Sequence, residues 1–99
     1  MDKEKITLIV KATINPEEID SFNAYIGQLT ELFENVKAEP MGHFPVKETF
    51  VGNEMPTFIA IYRFESKEAL NVVYGTDEYK SKMLPLRNKG FKNLEVYLS

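Results

Sequence analysis

The chain has no cysteine, no tryptophan and one histidine among its 99 residues. Without cysteine it has no disulfide, no thiol nucleophile and no thiolate ligand for a metal. A single histidine leaves only carboxylates to complete a metal site. We therefore predict no metal site and no cofactor.

Positive charge is also scarce. Twelve Lys and Arg residues stand against 15 Asp and Glu residues, which gives a net charge of −3, and the basic residues form no cluster. This balance argues against binding to nucleic acid. No apolar stretch reaches the length of a signal peptide core or a membrane span, so we expect a cytoplasmic protein with no membrane partner. The length predicts one domain, residues 1–99.

The first third of the chain indicates a strand followed by a helix. Apolar side chains alternate along residues 6–14, which is the period of a half-buried strand. Asn15-Pro16-Glu17 is typical of a helix start, with Asn15 as N-cap. Gly27 lies inside this helix, where a close approach to the sheet would explain it. The apolar stripe of the helix consists of Ile19, Phe22, Ile26, Leu29, Phe33 and Val36.

The middle of the chain predicts a hairpin. Residues 46–51 have the composition of a second strand, Gly52 begins a turn, and residues 58–64 alternate as a third strand. We therefore expect an antiparallel hairpin from Thr49 to Ile61. Proline is excluded from the interior of central strands, so Pro40 and Pro45 indicate an edge position or a bulge.

The last third predicts a helix in two pieces and a final strand. Ser66 caps a helix over residues 67–74, and Thr76 caps a second one that extends to Arg87. Pro85 should kink or end that helix, Gly90 should stop it, and residues 94–98 alternate as a strand. The order β-α-β-β-(α-α)-β predicts an α+β, ferredoxin-like sandwich: a four-stranded antiparallel sheet with helices on one face.

The opposite face of this sheet is also apolar. Ile9, Ile59 and Ile61 lie on the side that the helices cannot cover if Leu8 and Val10 face them. Large bare apolar surfaces are rare on monomers. We therefore expect a homodimer through the open sheet face.

The residues also resemble a known family. The segments Ile61-Tyr62-Arg63-Phe64, Ser66-Lys67-Glu68-Ala69 and Asp77-Glu78-Tyr79 to Leu84-Pro85-Leu86-Arg87, with Asn15-Pro16-Glu17, are similar to the DUF1330 family of dimeric α+β barrel proteins. The resemblance implies a homodimer whose two sheets close into a barrel, with a cavity between sheet and helices in each protomer. It also implies relatives that include cofactor-independent monooxygenases, haem-handling enzymes and proteins without known activity. The chain departs from the family in the turn that follows Met41-Gly42-His43, where the family's tryptophan is missing.

His43 is the candidate catalytic residue, because it is the only side chain that titrates near neutrality unperturbed. In one interpretation it is a general base, or a donor to a substrate oxygen at the barrel mouth. In the other it is an exposed loop histidine between Gly42 and Pro45.

Four tyrosines and one arginine form the other candidate group: Tyr25, Tyr62, Tyr74, Tyr79 and Arg87. From it we select Tyr62, Tyr79 and Arg87, together with His43, as the predicted ligand-binding residues. Tyr79 and Arg87 lie eight positions apart, near one helical stripe, and could direct a phenol and a guanidinium at an anionic or phenolic ligand. Alternatively, Tyr79 packs in the core and Arg87 pairs with a surface carboxylate. Tyr62 shares its strand face with Phe58 and Phe64, which is equally typical of a core residue.

The sequence leaves three functional hypotheses open. The first is a homodimeric protein that binds a small organic ligand between sheet and helices. The second is a cofactor-independent monooxygenase or isomerase acting on a phenolic or aromatic substrate, with His43 as base and Tyr79 and Arg87 as anchors. The third is a non-catalytic structural or regulatory subunit, which would have no cavity large enough for a ligand.

Overall fold

A computed structural model describes residues 4–99. Its four strands form one sheet in the order β2-β3-β1-β4, and every neighbouring pair is antiparallel. This is the ferredoxin-like α+β fold that the sequence predicts. In chain order the elements are β1 (Ile6–Ile14), a 3-10 turn (Pro16–Glu18), α1 (Ile19–Asn35), β2 (Glu39–Pro45), β3 (Phe58–Phe64), α2 (Lys67–Tyr74), a π turn (Tyr79–Met83), α3 (Leu84–Gly90) and β4 (Phe91–Leu98).

The core lies between the helices and one face of the sheet. Leu8 of β1 and Phe64 of β3 pack with Phe33 of α1 and with Leu70 and Val73 of α2. Their side chains are at most 8% exposed. The alternation seen in the sequence therefore corresponds to one buried side of each central strand.

Three predicted caps are present. The Asn15 side chain accepts a hydrogen bond from the Glu17 amide at 3.1 Å, and Ser66 Oγ accepts one from the Ala69 amide at 3.3 Å. Thr76 Oγ1 accepts from the Tyr79 amide at 3.1 Å. These side chains satisfy amides that have no partner in the first turn of a helix.

The predicted position of the second strand is wrong. β2 is Glu39–Pro45, and the segment 46–57 is a long connection to β3. The strand accommodates Pro40 and Pro45 because it is an edge strand paired only to β3, so the missing amide donors disrupt no second ladder. Its register shifts between Pro40 and Gly42, as expected for a bulge. The edge position inferred from the prolines is confirmed.

Two details of the helical layer also differ from expectation. Gly27 approaches nothing: no atom lies within 4 Å of the position a Cβ would occupy there, so the expected contact with the sheet is wrong. The helix does not end at Pro85 but continues to Gly90. A proline ring clashes with the carbonyl four residues earlier, here that of Ser81. The π turn around Ser81 widens the helix at that point, and the Leu84 amide bonds the Tyr79 carbonyl.

Gly90, the last residue of α3, lies tightly against the backbone of α1. A Cβ built there would lie 2.8 Å from Phe22 Cα and 2.9 Å from its amide nitrogen. The carbonyl of Gly90 also accepts a hydrogen bond from the Asn15 amide at 2.9 Å. The expected stop at Gly90 is confirmed, since β4 begins at the next residue.

We use the term open face for the side of the sheet that faces away from this core. In the strand register Ile9 pairs with Ile61, and both are half-buried within one chain. Phe44 is 55% and Tyr97 48% exposed. Near one end of the face Lys11 forms ion pairs with Glu95 and with Glu54 of the 46–57 connection.

The two edges of the sheet are unlike. β2 contains two prolines, which have no N–H to donate, whereas a register shift is found in the pairing of both edge strands. β4 has the sequence FKNLEVYL, with no proline, and Val96 and Leu98 are 43% and 50% exposed. Prolines and bulges on an edge are features that obstruct pairing with a further strand.

Candidate functional site

A cavity of about 60 Å³ lies between the sheet and the helices. The sheet provides its floor and the helices its opposite wall, so the same apolar periodicity that builds the core builds the cavity. Aromatic and aliphatic side chains predominate in the lining, with one guanidinium. The lining residues are Val10, Tyr25, Ile26, Leu29, Phe33, Phe58, Ala60, Tyr62, Tyr74, Arg87, Phe91, Leu94 and Val96.

A chain of polar contacts lies along the helical wall of this cavity. The hydroxyl oxygens of Tyr25 and Tyr79 are 2.6 Å apart, and Arg87 Nη1 donates to the Tyr79 hydroxyl at 3.3 Å. The Tyr74 ring meets the Tyr79 ring edge to face at 5.1 Å. The three helical segments α1, the π turn and α3 thus each provide one member of the chain.

Burial keeps three phenols that line the cavity neutral. It is the main cause that raises the pKa of Tyr25, Tyr62 and Tyr74 above the ordinary value for tyrosine. The positive charge of Arg87 opposes this rise at Tyr25 and Tyr74 but is the smaller effect. At neutral pH these hydroxyls therefore donate and accept hydrogen bonds and do not act as bases.

Arg87 has no carboxylate partner among the described residues. None of the ion pairs found within residues 4–99 includes it, and its hydrogen bond goes to the Tyr79 hydroxyl. The side chain is half-buried. Its charge is thus held at the cavity without internal neutralisation by any residue in that range.

The cavity continues into a more open pocket at the β4 edge. This second pocket, of about 420 Å³, shares Arg87, Phe91, Leu94 and Val96 with the cavity. Its remaining lining residues, Asn88, Lys92 and Asn93, are polar. We call this pocket the mouth. Arg87 lies at the boundary between the mouth and the apolar interior.

The volumes limit what the interior can hold. A single water molecule needs a cavity of about 10–15 Å³, and a cavity of about 150 Å³ can hold benzene. The interior cavity, at about 60 Å³, therefore fits a few heavy atoms, and a larger ligand has to extend into the mouth.

The structure brings some predicted site residues together and separates another. Tyr62 and Arg87 line the cavity, and Tyr79 lies behind Arg87 and bonds to it. His43 is exposed on β2, and its ring stacks on Phe58 at 4.8 Å. Phe58 separates His43 from the cavity, which Phe58 itself lines.

Tyr25 and Tyr74 line the same cavity. Both belong to the tyrosine group that the sequence singles out, although neither is among the residues selected from it as ligand-binding. Tyr25 follows Phe22 by three positions and precedes Leu29 by four, which places it on the buried stripe of α1. A buried tyrosine on such a stripe requires a hydrogen-bond partner. That requirement is the signal that points to Tyr25.

Two further features are absent from the residues that the structure describes. Across residues 4–99, no three His, Asp or Glu side chains converge as metal ligands. No helix in that range has the length and apolar character needed to cross a bilayer.

The architecture and the cavity together define a class of protein, the ferredoxin-like α+β fold with a pocket between sheet and helices. No family model matches the sequence, and no curated protein matches it. Solved structures do match it. A protein of unknown function from Rhodopseudomonas palustris, RPA0582, superposes with a TM-score of 0.85 at 12% identity, over 98% of this chain and 82% of the other.

Two further similar structures have names that indicate an activity. A putative antibiotic biosynthesis monooxygenase from Caulobacter crescentus CB15 gives a TM-score of 0.63 at 14% identity, over 98% of this chain and 89% of the other. SnoaB, a cofactor-independent oxygenase from Streptomyces nogalater, gives 0.61 at 15% identity, over 96% and 90%. At these identities the likeness concerns the fold.

Proposed function

We propose that this chain is a homodimeric protein that binds a small anionic organic ligand, with the acidic group of the ligand at Arg87 and its apolar end in the cavity. The observation behind this proposal is the half-buried Arg87 side chain at the boundary between an apolar interior and a polar mouth. A charge in such a position is stabilised when an opposite charge binds to it. A carboxylate or a phenolate supplies that charge.

The surrounding residues support this orientation of the ligand. Tyr79 accepts a hydrogen bond from one guanidinium nitrogen and so fixes the side chain, while the other nitrogens remain available to a ligand. Lys92 in the mouth adds a second positive charge on the path of entry. Tyr62 and Phe33, whose rings pack edge to face at 4.9 Å, provide an aromatic wall for the apolar end.

Removal of the charge at Arg87 tests the proposal. Butyrate and its neutral counterpart butyramide serve as probes, since their three-carbon end suits the small interior cavity, and binding is measured by thermal shift and calorimetry. We expect the protein to bind butyrate more tightly, and Arg87→Met to lose about ten- to a hundredfold in butyrate affinity, because a hydrogen bond to a charged group is worth roughly 1.5–3 kcal/mol. Tyr79→Phe, which removes only the support of Arg87, should lose less.

The matched control is Lys89→Met. Lys89 is exposed on the same helix and two residues away, so this variant removes the same charge without touching the cavity. Equal losses in both variants would attribute the effect to net charge. Equal affinity of the wild type for butyrate and butyramide, or no binding of either probe, would contradict the ligand assignment.

The proposed homodimer rests on the open face. Ile9, Ile59 and Ile61 are half-buried there by their own sheet, and the helices with which Leu8 and Phe64 pack lie on the other side. Exposed apolar patches of this kind mark interaction surfaces. An isologous pairing of two open faces buries the same residues twice, which is the commonest arrangement of soluble oligomers.

A substitution at the centre of the open face tests the dimer. Light scattering should give a mass near twice 11.4 kDa for the wild type and near 11.4 kDa for Ile61→Glu, because the introduced carboxylate would be buried without a partner. Val72→Glu is the control, since Val72 is an exposed apolar residue on α2. A monomeric wild type at micromolar concentration would refute the proposal.

A second candidate function is a cofactor-independent oxygenase or isomerase for a phenolic or aromatic substrate. The similarity to SnoaB and to the Caulobacter crescentus protein favours it. Tyr79 and Arg87 would be the anchors and His43 the base, and because His43 lies outside the cavity against Phe58, the substrate would have to extend past Phe58 to meet it. Oxygen uptake with 1,4-dihydroxynaphthalene, above its spontaneous rate, separates the two candidates. Loss of that uptake in His43→Gln would assign the base; unchanged uptake would exclude this role for His43.

A further inference from the structure

The connection between β2 and β3 is an ordered projection, which we call the arm, residues 46–57. Hairpin loops usually have about two to five residues, so this one is unusually long. Its two ends are joined by a hydrogen bond from the Val46 amide to the Thr57 carbonyl at 3.0 Å. Within it the Thr49 hydroxyl bonds the Glu54 carbonyl, and Gly52 has φ +121°, a conformation that other residues rarely adopt.

The tip of the arm presents apolar side chains to solvent. Phe50 is 94%, Val51 85% and Met55 59% exposed. Phe50 and Val51 are the most exposed large apolar residues among those described. Single exposed apolar residues are ordinary, but a cluster of three on a projection held by hydrogen bonds indicates a contact surface.

The arm stands on the open-face side of the sheet. Glu54 forms an ion pair with Lys11, and Lys11 belongs to the open face because its register partner is Ile59. A second sheet laid on the open face would therefore meet the arm as well. Pro56 and Met55 lie in the same pocket as Lys11, which keeps the base of the arm close to the sheet.

The sheet face offers a limited area to a partner. Four strands about 4.8 Å apart and about seven residues long, at 3.3 Å each, cover roughly 450 Å² in plan, before the relief of the side chains is counted. A stable interface buries about 800 Å² of accessible surface on each partner, and contact with the arm adds to the area that the face supplies. The molecule is also long and thin, 43 × 32 × 16 Å with a radius of gyration of 14.0 Å, where a chain of this length packed alone gives about 13 Å.

We propose that the arm of each protomer packs against the other protomer, so that the dimer interface consists of the two open faces together with two reciprocal arms. This inference rests on the homodimer proposed above. It accounts for the strand-like composition of residues 46–51, Val-Lys-Glu-Thr-Phe-Val, which pairs with no strand within one chain. Because a two-fold axis relates the two protomers, each substitution in the arm alters the interface at two places.

The charges of the arm favour a protein partner over a lipid surface. Segments that insert into membranes surround their apolar residues with Lys and Arg. The arm contains one lysine, Lys47, against two glutamates, Glu48 and Glu54. A second copy of the chain, which presents apolar Ile, Phe and Tyr side chains on its open face, is the matching surface.

Sedimentation equilibrium on three variants tests the arm. We expect the double variant Phe50→Ser, Val51→Ser to weaken dimerisation by about a hundredfold or more, since every 1.4 kcal/mol lost is a factor of ten, while Val72→Ser leaves it unchanged. Circular dichroism and the melting temperature of a monomeric background, Ile61→Glu, should not change when the two arm substitutions are added, because both side chains are exposed within one chain.

Hydrogen exchange supplies a second measurement that does not depend on mutating the arm. Amides of residues 47–51 should be protected in the wild-type dimer and should lose that protection in Ile61→Glu. Protection that is the same in both states would overturn the inference.

The remaining outcomes distinguish the inference about the arm from the proposal of a homodimer. If the double variant dimerises like the wild type while Ile61→Glu is monomeric, the arm inference fails and the dimer stands. If the wild type is monomeric, both fail. If the wild type floats with phosphatidylglycerol vesicles and the double variant does not, while dimerisation is unaffected, the arm binds lipid and the inference is overturned.

Discussion

At the scale of single residues, two glycines of the helical layer have opposite surroundings. Gly27 lies within α1 and faces open space, whereas Gly90 at the end of α3 has the backbone of Phe22 against it. The sequence does not reveal this difference in surroundings, because both residues follow ordinary helical patterns. The same substitution should therefore have opposite effects at the two positions.

We predict that Gly27→Ala raises the free energy of unfolding by about 0.5–1 kcal/mol, because alanine loses less conformational freedom in a helix. Gly90→Ala should lower it by about 1–3 kcal/mol, since its Cβ would force α1 and α3 apart. Urea denaturation followed by circular dichroism measures both. A Gly90→Ala variant as stable as the wild type would mean that the contact between the two helices adapts easily.

The relation between Tyr79 and Arg87 shows how far the sequence can predict the site. Their spacing of eight residues suggested a shared stripe, but in an α-helix eight residues complete about 2.2 turns, which leaves a considerable angular offset. The π turn at 79–83 has more residues per turn and reduces that offset. The hydrogen bond between them therefore depends on a local irregularity that periodicity does not reveal.

At the scale of secondary structure, the predictions succeeded where a local signal marked both the start and the period of an element. β1, α1, β3 and α2 each have a clear alternation or stripe, and α1 and α2 follow a capping side chain. Such signals arise from neighbouring residues alone, so the sequence contains them in full.

The second strand was misplaced because its formation depends on a partner far along the chain. Residues 46–51 have the higher strand propensity, whereas β2 contains two prolines and a glycine. The ladder to β3 nevertheless forms over residues 39–45. An edge strand needs only one ladder, so tertiary pairing outweighs propensity there.

At the scale of the whole molecule, the buried tyrosines link stability to alkaline pH. Burial raises the pKa of Tyr25, Tyr62 and Tyr74 in the folded state above the unfolded value of about 10. The folded state therefore holds these protons more tightly than the unfolded state, and this contribution to stability is complete below that pH.

We predict that the free energy of unfolding is insensitive to these groups up to about pH 9 and falls as the pH rises beyond about 10. Absorbance near 295 nm, which reports tyrosine ionisation, should rise together with the loss of the circular dichroism signal. Tyr25→Phe should reduce the steepness of the fall. If all five tyrosines ionised near pH 10 with the fold intact, the burial of the helical wall would be refuted.

The difference between the two edges of the sheet limits how many copies of the chain can associate edge to edge. A fibre built by edge-to-edge addition needs every unit to accept a neighbour on both sides. The prolines of β2 leave that side a poor acceptor, whereas β4 has no proline and its own register shift lies at its start, between Phe91 and Asn93. Two copies that pair through their β4 edges would expose only their β2 edges to a third copy. Because those edges pair poorly, association along the sheet stops at two copies.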